Sequence, residues 1–436
     1  MQVAAAWPTD QPLFMLHSGR LHRRWGRWSI LARPVRTIGF DQAPDRDPMV
    51  ELESALSATR LDRPVPSNPG LPFFGGWIGY FSYDLGRVLE PRASHDPPAV
   101  DDRGWPALEL AHCPSALVHD GLSGQWYAVG EADAWAGRLR FSEDGPGEAL
   151  VGDLNTSLEP DEYARAVART IDYIAAGDIF QANITRRVSA SFEGSTRGLL
   201  SRALPRSEAR YGAYLELPGG RCVLSLSPEL FLDVEPGSRR VTTRPIKGTR
   251  PSTAPRRELV DSAKDSAELH MIVDLMRNDL GRVCAFGSVR VPVPRAIETY
   301  PTVHHGVAQV TGRLRPEVSF GDLLRATFPG GSVTGAPKIR AMQVIDELEP
   351  VRRGPYCGAI GFLSDCGRVG LSIAIRTILL SGRRDEGAWD RLTGTLDYGT
   401  GGGIVADSEP LAEYNESVDK TAVLHMALEE LSAVSF

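Results

Sequence analysis

A single lysine, Lys247, lies in a glycine-bounded stretch that could present an amine to a small anion. The stretch reads Pro-Ile-Lys-Gly-Thr at 245–249, with Arg244 and Arg250 on either side. An amine attacks carbon only in its neutral form, so the usual lysine pKa of about 10.4 must be lowered by burial or by neighbouring cations. A basic cluster of this kind is more often a solvated loop, although it can also attract a dianionic substrate. Lys247 is therefore a candidate nucleophile.

Glu268 is a candidate metal ligand. It lies in the segment 265–281, where apolar residues recur at helical spacing up to a terminal glycine. A carboxylate on so apolar a helix needs a counter-charge, which is either Lys264, one turn earlier, or a divalent metal.

A second predicted helix begins at Ser-Glu-Pro, residues 408–410. It carries Glu413, Glu416 and Lys420 at i, i+3 and i+7, which places two carboxylates and an ammonium on one face. Such a triplet is usually a solvated ion-pair face. Here it follows a glycine run at 399–403, whose backbone N–H groups could hold the acid group of a substrate that also binds a metal. The run lacks the order of a dinucleotide-binding loop, and we expect residues 404–405 to form a strand after the glycines.

Another glycine-rich turn, 329–338, leads into a helix predicted over 337–348. Its spacing differs from that of a Walker loop. The turn either connects a strand to a helix capped by Thr334, or presents the hydroxyl of Ser332 to a ligand.

Six motifs resemble, in order, those of the chorismate-utilising enzymes. They are GDIFQAN at 177–183, SPE at 227–229, PIKGT at 245–249, MIVDL with RNDLG at 271–281, GGSVTGAPK at 330–338 and GGGIVADS at 401–408. A weaker match, FFGGWIGY at 73–80, extends the resemblance over nearly the whole chain. Within the family, the chain most resembles the component I subfamily of the aminodeoxychorismate synthases.

Two positions carry the subfamily assignment. Lys247 stands where anthranilate synthases have alanine and resembles the lysine that attacks C2 of chorismate in aminodeoxychorismate synthases. Gln181 stands where isochorismate and salicylate synthases have a water-activating lysine, and an amide cannot act as a base. The resemblance therefore implies that chorismate and ammonia give 4-amino-4-deoxychorismate, for para-aminobenzoate and folate synthesis. An anthranilate-type synthase and an idle chorismate-binding regulatory subunit remain alternatives.

The resemblance also implies roles for individual residues. Glu229 matches the general acid that protonates the departing C4 hydroxyl, a task that needs a raised carboxyl pKa. Glu268 and Glu416 match ligands of a Mg²⁺ cofactor, with Glu413 beside them. The substrate contacts implied are Tyr356 and Arg376 for the enolpyruvyl carboxylate, Lys420 with the N–H groups of Gly401 and Gly403 for the ring carboxylate, and Gln181, His305 and Ser332 lining the site. We rank the neighbouring His304 as structural.

These side chains need elements that bring distant segments together. The resemblance implies an α+β fold in which two antiparallel sheets pack against each other with helices outside. It divides the chain into an N-terminal region, 1–150, and a catalytic region, 155–434, within one intertwined body. The 265–281 and 409–432 helices must then meet, so we expect the C-terminal helix to pack in the core.

Composition limits the partners. The net charge of -7 argues against nonspecific nucleic-acid binding. The sequence also contains no run of about eighteen apolar residues, the length that a membrane-spanning helix needs. The cysteines indicate a reducing, cytoplasmic setting, and none lies on the G-x-C-x-G turn of a glutaminase nucleophile. They are Cys113, Cys222, Cys284, Cys357 and Cys366. We therefore expect ammonia to come from a separate glutamine amidotransferase subunit.

Overall fold

The computed structural model describes residues 2–41, 47–61, 70–137, 139, 147–207, 209–299 and 303–428. Its strands are β1 Phe14–His17, β2 Trp28–Arg33, β3 Arg36–Phe40, β4 Gly76–Phe81, β5 Leu108–Cys113, β6 Ser115–Asp120, β7 Trp126–Val129, β8 Ala149–Val151, β9 Asn155–Thr156, β10 Gln181–Ser195 and β11 Tyr211–Leu217. They continue with β12 Arg221–Ser227, β13 Leu230–Glu235, β14 Arg240–Arg244, β15 Ile246–Pro251, β16 Arg290–Thr299, β17 Val303–Arg313, β18 Gly335–Ala336, β19 Ala359–Ser364, β20 Val369–Ile373, β21 Thr377–Arg384 and β22 Arg391–Ile404.

The helices lie between these strands. They are α1 Gln2–Ala5, α2 Pro48–Thr59, α3 Leu85–Leu89, α4 Ala132–Ala136, α5 Pro160–Ala175, α6 Thr196–Ser207, α7 Arg256–Val260, α8 Ala263–Gly281, α9 Phe320–Thr327, α10 Lys338–Leu348, α11 Pro410–Asp419 and α12 Ala422–Leu428, with short 3₁₀ turns at Pro91–Ala93 and Gly331–Val333. None of the helices described is long and apolar enough to cross a membrane.

The described strands form two antiparallel sheets, as predicted. The first has the order β18-β10-β22-β21-β12-β11-β1-β2-β6-β7, with β8 and β9 also against β10, and the second has the order β15-β17-β14-β13-β20-β19-β4-β5-β3, with β16 also against β17. Strands from the first 150 residues occur in both sheets, since β1 pairs with β11 and β4 pairs with β19. One apolar core joins Phe14 and Ile30 of the first sheet to Trp77 and Ile78 of the second. The boundary between 1–150 and 155–434 stays a prediction, and residues 429–434 lie outside the described part.

We expected a strand to follow the glycine run, but the run itself is part of a strand. Residues 399–403 lie inside β22, which ends at Ile404, and they pair with β10. A side chain at Gly401 would meet the backbone of β10, 2.1 Å from the carbonyl oxygen of Ile184. The glycines therefore allow two long strands to lie close together.

The predicted 409–432 helix is broken in two, α11 and α12, and residues 429–432 lie outside the described part. The carbonyls at the end of α11 are bonded to β22 instead of continuing the helix. The hydroxyl of Thr400 donates to the carbonyl of Ser417 at 2.6 Å, and that of Tyr398 donates to the carbonyl of Lys420 at 3.0 Å. The segment does pack in the core, because Leu424 is fully buried.

Candidate active site

The candidate nucleophile Lys247 is the second residue of β15, and its amino group reaches the glycine strand β22. A methyl group placed on Gly403 would lie 2.8 Å from Lys247 Nζ and 2.6 Å from Gln181 Nε2. Lys247 and Gln181 therefore meet at one point, although 66 positions separate them in the sequence.

Burial lowers the pKa of Lys247 below its usual value. The charge of Lys420 lowers the pKa further, whereas Glu268, Glu229 and Glu416 raise it. The flanking arginines, which the sequence suggested as the cause, are engaged elsewhere. Arg244 forms an ion pair with Glu298, and Arg250 forms one with Asp265 at 2.8 Å. Desolvation, rather than the neighbouring arginines, is the main influence that favours a neutral amine.

The candidate general acid Glu229 follows β12 and is 4% exposed. Its Oε1 accepts a hydrogen bond from Ser332 Oγ at 2.5 Å. Burial raises the pKa of Glu229 to about 7, against the opposing effects of the Ser332 hydrogen bond and the Lys247 charge. A carboxyl group with this pKa retains its proton in a substantial fraction of molecules at neutral pH, which general-acid catalysis requires.

Three glutamates gather around the glycine strand and Lys247. Glu268 lies on α8, and Glu413 and Glu416 lie on α11. A methyl group on Gly402 would lie 3.1 Å from Glu413 Oε2 and 3.8 Å from Glu416 Oε1. Burial raises the pKa of Glu268, and the charge of Glu413 adds to that rise. The three carboxylates are thus electrostatically coupled.

The two glutamates of α11 differ in their surroundings. Glu413 is buried and accepts a hydrogen bond from Ser408 Oγ at 2.7 Å. Burial raises its pKa, and the charge of Glu416 raises it further. The side chain of Glu416 is 57% exposed and bonds Lys420 Nζ at 2.7 Å. Burial opposes the ionisation of Glu416, but Lys420 outweighs it, so the pKa of Glu416 is lowered.

The chemistry of this group fits magnesium. Within the described residues, no group of three or more His, Cys, Asp or Glu side chains is placed so that it could hold a metal ion. Magnesium, however, commonly binds one or two carboxylates and keeps several waters. Burial raises the pKa of both Glu268 and Glu413, so a divalent cation beside them would offset the cost of ionising two carboxylates in one place. Lys264, the alternative partner of Glu268, lowers the pKa of Glu413 as well, and so acts on the group as a whole.

Gly401 and Gly403 turn their backbone N–H groups away from β10. They stand opposite Thr185 and Asn183, whose own N–H groups donate elsewhere, to Glu349 Oε1 and to the carbonyl of Thr334. Gly401 with Thr185, and Gly403 with Asn183, are therefore non-hydrogen-bonded pairs of the antiparallel ladder. In such a pair each residue directs its N–H and C=O away from the partner strand, so both glycines direct these groups to the edge of β22 that faces away from β10. Lys420 Nζ donates to the carbonyl of Gly401 at 2.8 Å. The edge thus offers N–H donors beside an ammonium.

Gln181 is fully buried in this region. Among the residues described, no hydrogen-bond partner is found for either its side-chain nitrogen or its oxygen. A buried amide without a partner is costly, and such groups mark positions where a ligand or water is expected. Gln181 therefore retains free donor and acceptor capacity within the site.

The remaining predicted contacts surround the same strand. The ring of Tyr356 lies against Gly399, where an added methyl group would be 2.2 Å from the ring. Arg376 has a left-handed backbone, with φ of 52°, between β20 and β21. A non-glycine residue in this conformation is uncommon and tends to occur at functional sites. The positive charge of Arg376 acts on both His305 and Tyr398, which places its guanidinium near the site.

The two adjacent histidines face different surroundings. His305 is 1% exposed, and its Nδ1 shares a hydrogen bond with Thr249 Oγ1 at 2.8 Å. Burial, together with Arg376, lowers the pKa of His305 to about 3. His304 contacts Thr299 Oγ1 at 3.0 Å and the carbonyl of Ala254 at 3.2 Å, and its structural role stays a prediction.

Sequence reasoning missed a buried ion pair that holds the site's backbone. Arg353 Nε bonds Glu349 Oε2 at 2.8 Å, and both side chains are at most 5% exposed. Arg353 also donates to the carbonyls of Val333 and Asn183, which joins the Ser332 turn to β10. The spacing i, i+4 of Glu349 and Arg353 was the available signal, but such pairs are common on helix surfaces.

This fold and this site define the class of protein. The chain matches the family described as chorismate binding enzyme over residues 14–426, and it belongs to that family. Its relatives include aminodeoxychorismate synthase component 1 of Klebsiella aerogenes, which is 41% identical over 96% of this chain and 94% of the relative. Anthranilate synthase component 1 of Pseudomonas aeruginosa is 36% identical over 95% and 90% of the two chains.

A solved structure confirms the fold. Anthranilate synthase component I from Streptococcus pneumoniae superposes with a TM-score of 0.78 at 31% identity, and 94% of each chain is covered. The predicted α+β architecture of two antiparallel sheets with flanking helices is therefore correct.

Proposed function

We propose that the protein is the synthase component, component I, of an aminodeoxychorismate synthase. It converts chorismate and ammonia to 4-amino-4-deoxychorismate, the precursor of para-aminobenzoate in folate synthesis. The observation that carries this proposal is the pairing of a desolvated amine, Lys247, with a buried carboxyl group, Glu229, whose pKa is raised to about 7.

The protonation of this pair suits covalent catalysis. Neutral Lys247 with protonated Glu229 holds the same number of protons as the ammonium–carboxylate form. The reactive form is therefore reached by moving one proton within the pair, without uptake from solvent. Burial favours the neutral form of both groups, because desolvation penalises charge on each of them.

The first half-reaction uses both groups. Lys247 Nζ forms a bond to C2, the ring double bonds shift, and the C4–O bond breaks. Glu229 supplies the proton that converts the departing hydroxyl to water, and the resulting carboxylate takes back a proton from the alkylated amine. Glu268 and Glu416, with Glu413 nearby, would hold Mg²⁺, which would supply a Lewis acid for the ring carboxylate. The balance is chorismate plus enzyme giving adduct plus water.

The second half-reaction replaces the lysine by ammonia. Ammonia adds to C4, the double bonds shift back, and the C2–N bond to Lys247 breaks. The proton released by the new amine returns to the lysine nitrogen. Gln181 favours ammonia over water here, because its neutral amide can hydrogen-bond a nucleophile but cannot deprotonate water.

We further propose that ammonia comes from a separate glutamine amidotransferase subunit in the cytoplasm. The relatives named component 1 support a partner of some kind. A glutaminase nucleophile needs a thiol with a lowered pKa, and burial raises the pKa of Cys113, Cys222 and Cys284. Burial likewise raises the pKa of the Cys357 thiol to about 11.

Product analysis tests the proposal. The purified chain should convert chorismate with magnesium and high ammonium at alkaline pH into an amino acid that retains the enolpyruvyl group. Anthranilate with release of pyruvate would instead identify an anthranilate-type synthase, which is the alternative favoured by the 36% identical relative. No turnover would favour a regulatory subunit. Turnover with glutamine alone would contradict the need for a partner.

A further inference from the structure

The hydrogen bond from Ser332 to Glu229 occupies one of the two oxygens of the candidate acid. Ser332 Oγ lies 2.5 Å from Glu229 Oε1, and the two residues are 6% and 4% exposed. A serine hydroxyl can rotate to donate, and hydrogen bonds to carboxylates are among the stronger ones in proteins. Oε1 is thus held as an acceptor, and Oε2 remains to carry the transferable proton.

The position of Ser332 is fixed by the backbone around it. It lies in the 3₁₀ turn Gly331–Val333, where Thr334 Oγ1 donates to the carbonyl of Gly330 at 2.9 Å. Arg353 holds the carbonyl of Val333 at 2.9 Å, and the N–H of Asn183 holds that of Thr334 at 2.7 Å. The Ser332 hydroxyl therefore lies on a buried turn whose backbone is held by several hydrogen bonds.

Few other groups act on Glu229. Within the described residues, the charge facing it is that of Lys247, and the backbone of Ile246 also lowers its pKa. Glu229 in turn raises the pKa of the buried Cys357 thiol, which places that neutral group nearby. Ser332 is the side chain whose hydrogen bond acts most strongly on the acid after burial itself.

We propose that Ser332 is a positioning residue for the general acid. It holds Oε1, assigns the proton to Oε2, and stabilises the carboxylate that remains once the proton has moved. In that step the Oε2–H bond breaks, an O–H bond forms to the C4 hydroxyl, and the C4–O bond breaks to release water. Ser332 keeps its own proton throughout. The inference rests on the proposed function, because it requires Glu229 to be the acid.

The direct test is the titration of Glu229 in the free enzyme. Infrared difference spectra against Glu229→Gln would assign the carbonyl band of its protonated form. Removing a hydrogen bond that favours the ionised form should raise the midpoint, so Ser332→Ala should titrate about one to two pH units higher than wild type. Ser332→Cys, a weak donor of similar size, should shift the midpoint in the same direction by less.

Kinetics supply the second readout. Ser332→Ala should lower kcat about tenfold, because the donor is strengthened as charge develops on Glu229, while KM for chorismate changes little. Ser332→Thr keeps the hydroxyl and should restore both kcat and the wild-type midpoint. Thr334→Val is the matched control, since it removes a hydrogen bond within the same turn but none to Glu229. It should lower the melting temperature without moving the midpoint, because the bonds from Arg353 to the carbonyl of Val333 and from the Asn183 N–H to that of Thr334 still hold the turn.

The possible outcomes distinguish a failure of the proposed role of Ser332 from a failure of the proposed enzymatic function. An unchanged midpoint in folded Ser332→Ala and Ser332→Cys would overturn the role of Ser332, even if wild-type enzyme aminates chorismate. A shift of equal size in Thr334→Val would reduce Ser332 to a structural residue and would likewise overturn it. If wild-type enzyme forms no aminodeoxychorismate while the midpoints still shift as expected, the proposed function fails instead.

Discussion

Replacing Gly403 by alanine would place a methyl group between the nucleophile and the buried amide. The added Cβ would lie 2.8 Å from Lys247 Nζ and 2.6 Å from Gln181 Nε2. Ordinary contact begins at 3.4 Å, so Nζ must retreat by about 0.6 Å and Nε2 by about 0.8 Å. Both atoms are the far ends of flexible side chains, and they can move without displacing the backbone.

The cost should therefore fall on catalysis rather than on folding. A misplacement of about 1 Å at a reacting group can lower a rate about 100-fold. We expect the rate of adduct formation in Gly403→Ala to fall about 30- to 100-fold, which corresponds to about 2 to 2.7 kcal/mol in the barrier. The free energy of unfolding should change by less than about 1 kcal/mol, because a glycine in a strand also costs backbone entropy on folding.

Intact-protein mass spectrometry measures the step directly. Enzyme mixed with chorismate and magnesium, without ammonia, should gain the mass of chorismate less one water, and the time course gives the rate. Circular dichroism and the melting temperature check that the variant is folded.

The neighbouring glycines provide matched controls. A methyl group at Gly401 would lie 2.6 Å from Thr185 Cα in the adjacent strand, so Gly401→Ala should chiefly destabilise the fold. Gly402→Ala meets Glu413 Oε2 at 3.1 Å and should mainly alter the dependence on magnesium. Wild-type adduct formation in folded Gly403→Ala would refute the placement of Lys247 Nζ beside Gly403, and equal destabilisation of all three variants would refute the distinction between them.

Three further predictions concern single residues. Lys247→Ala should abolish the adduct and strongly slow amination, and Lys247→Arg, always protonated, should be no better; amination at the wild-type rate would mean direct attack by ammonia. Glu268→Gln or Glu416→Gln should weaken magnesium binding measured by calorimetry and lower kcat about 100-fold or more, and unchanged binding in both would remove them as ligands. The folded-state pKa of His305 is lowered to about 3, so the unfolded state binds more protons between about pH 3 and 6.5 and stability is lost as the pH falls through that window. His305→Gln should flatten this loss in the melting temperature, and an undiminished acid loss would contradict the buried, neutral imidazole.

Local pattern determined several elements of this protein. The apolar spacing over 265–281 predicted a helix, and the structure places α8 at Ala263–Gly281. The proline at 410 marked the start of α11 at the correct residue. The resemblance carried by short motifs gave the two-sheet architecture and the family, both of which are confirmed. These features could be inferred because helix periodicity, capping residues and motifs are written in contiguous stretches of sequence.

Tertiary structure decided what each side chain faces. Lys247 is flanked in sequence by Arg244 and Arg250, but both form ion pairs elsewhere, and burial lowers its pKa instead. The register of β10 against β22, two strands about 200 positions apart, turns the N–H groups of Gly401 and Gly403 to the edge of β22 that faces away from β10.

The bond from Arg353 to the carbonyl of Asn183, and the bond from Ser332 to Glu229, likewise join segments that lie far apart in the sequence. Burial and long-range pairing depend on which strands become neighbours. A sequence read along its length contains the groups that can react, whereas the charges, distances and hydrogen bonds that govern them arise only when the two sheets have formed.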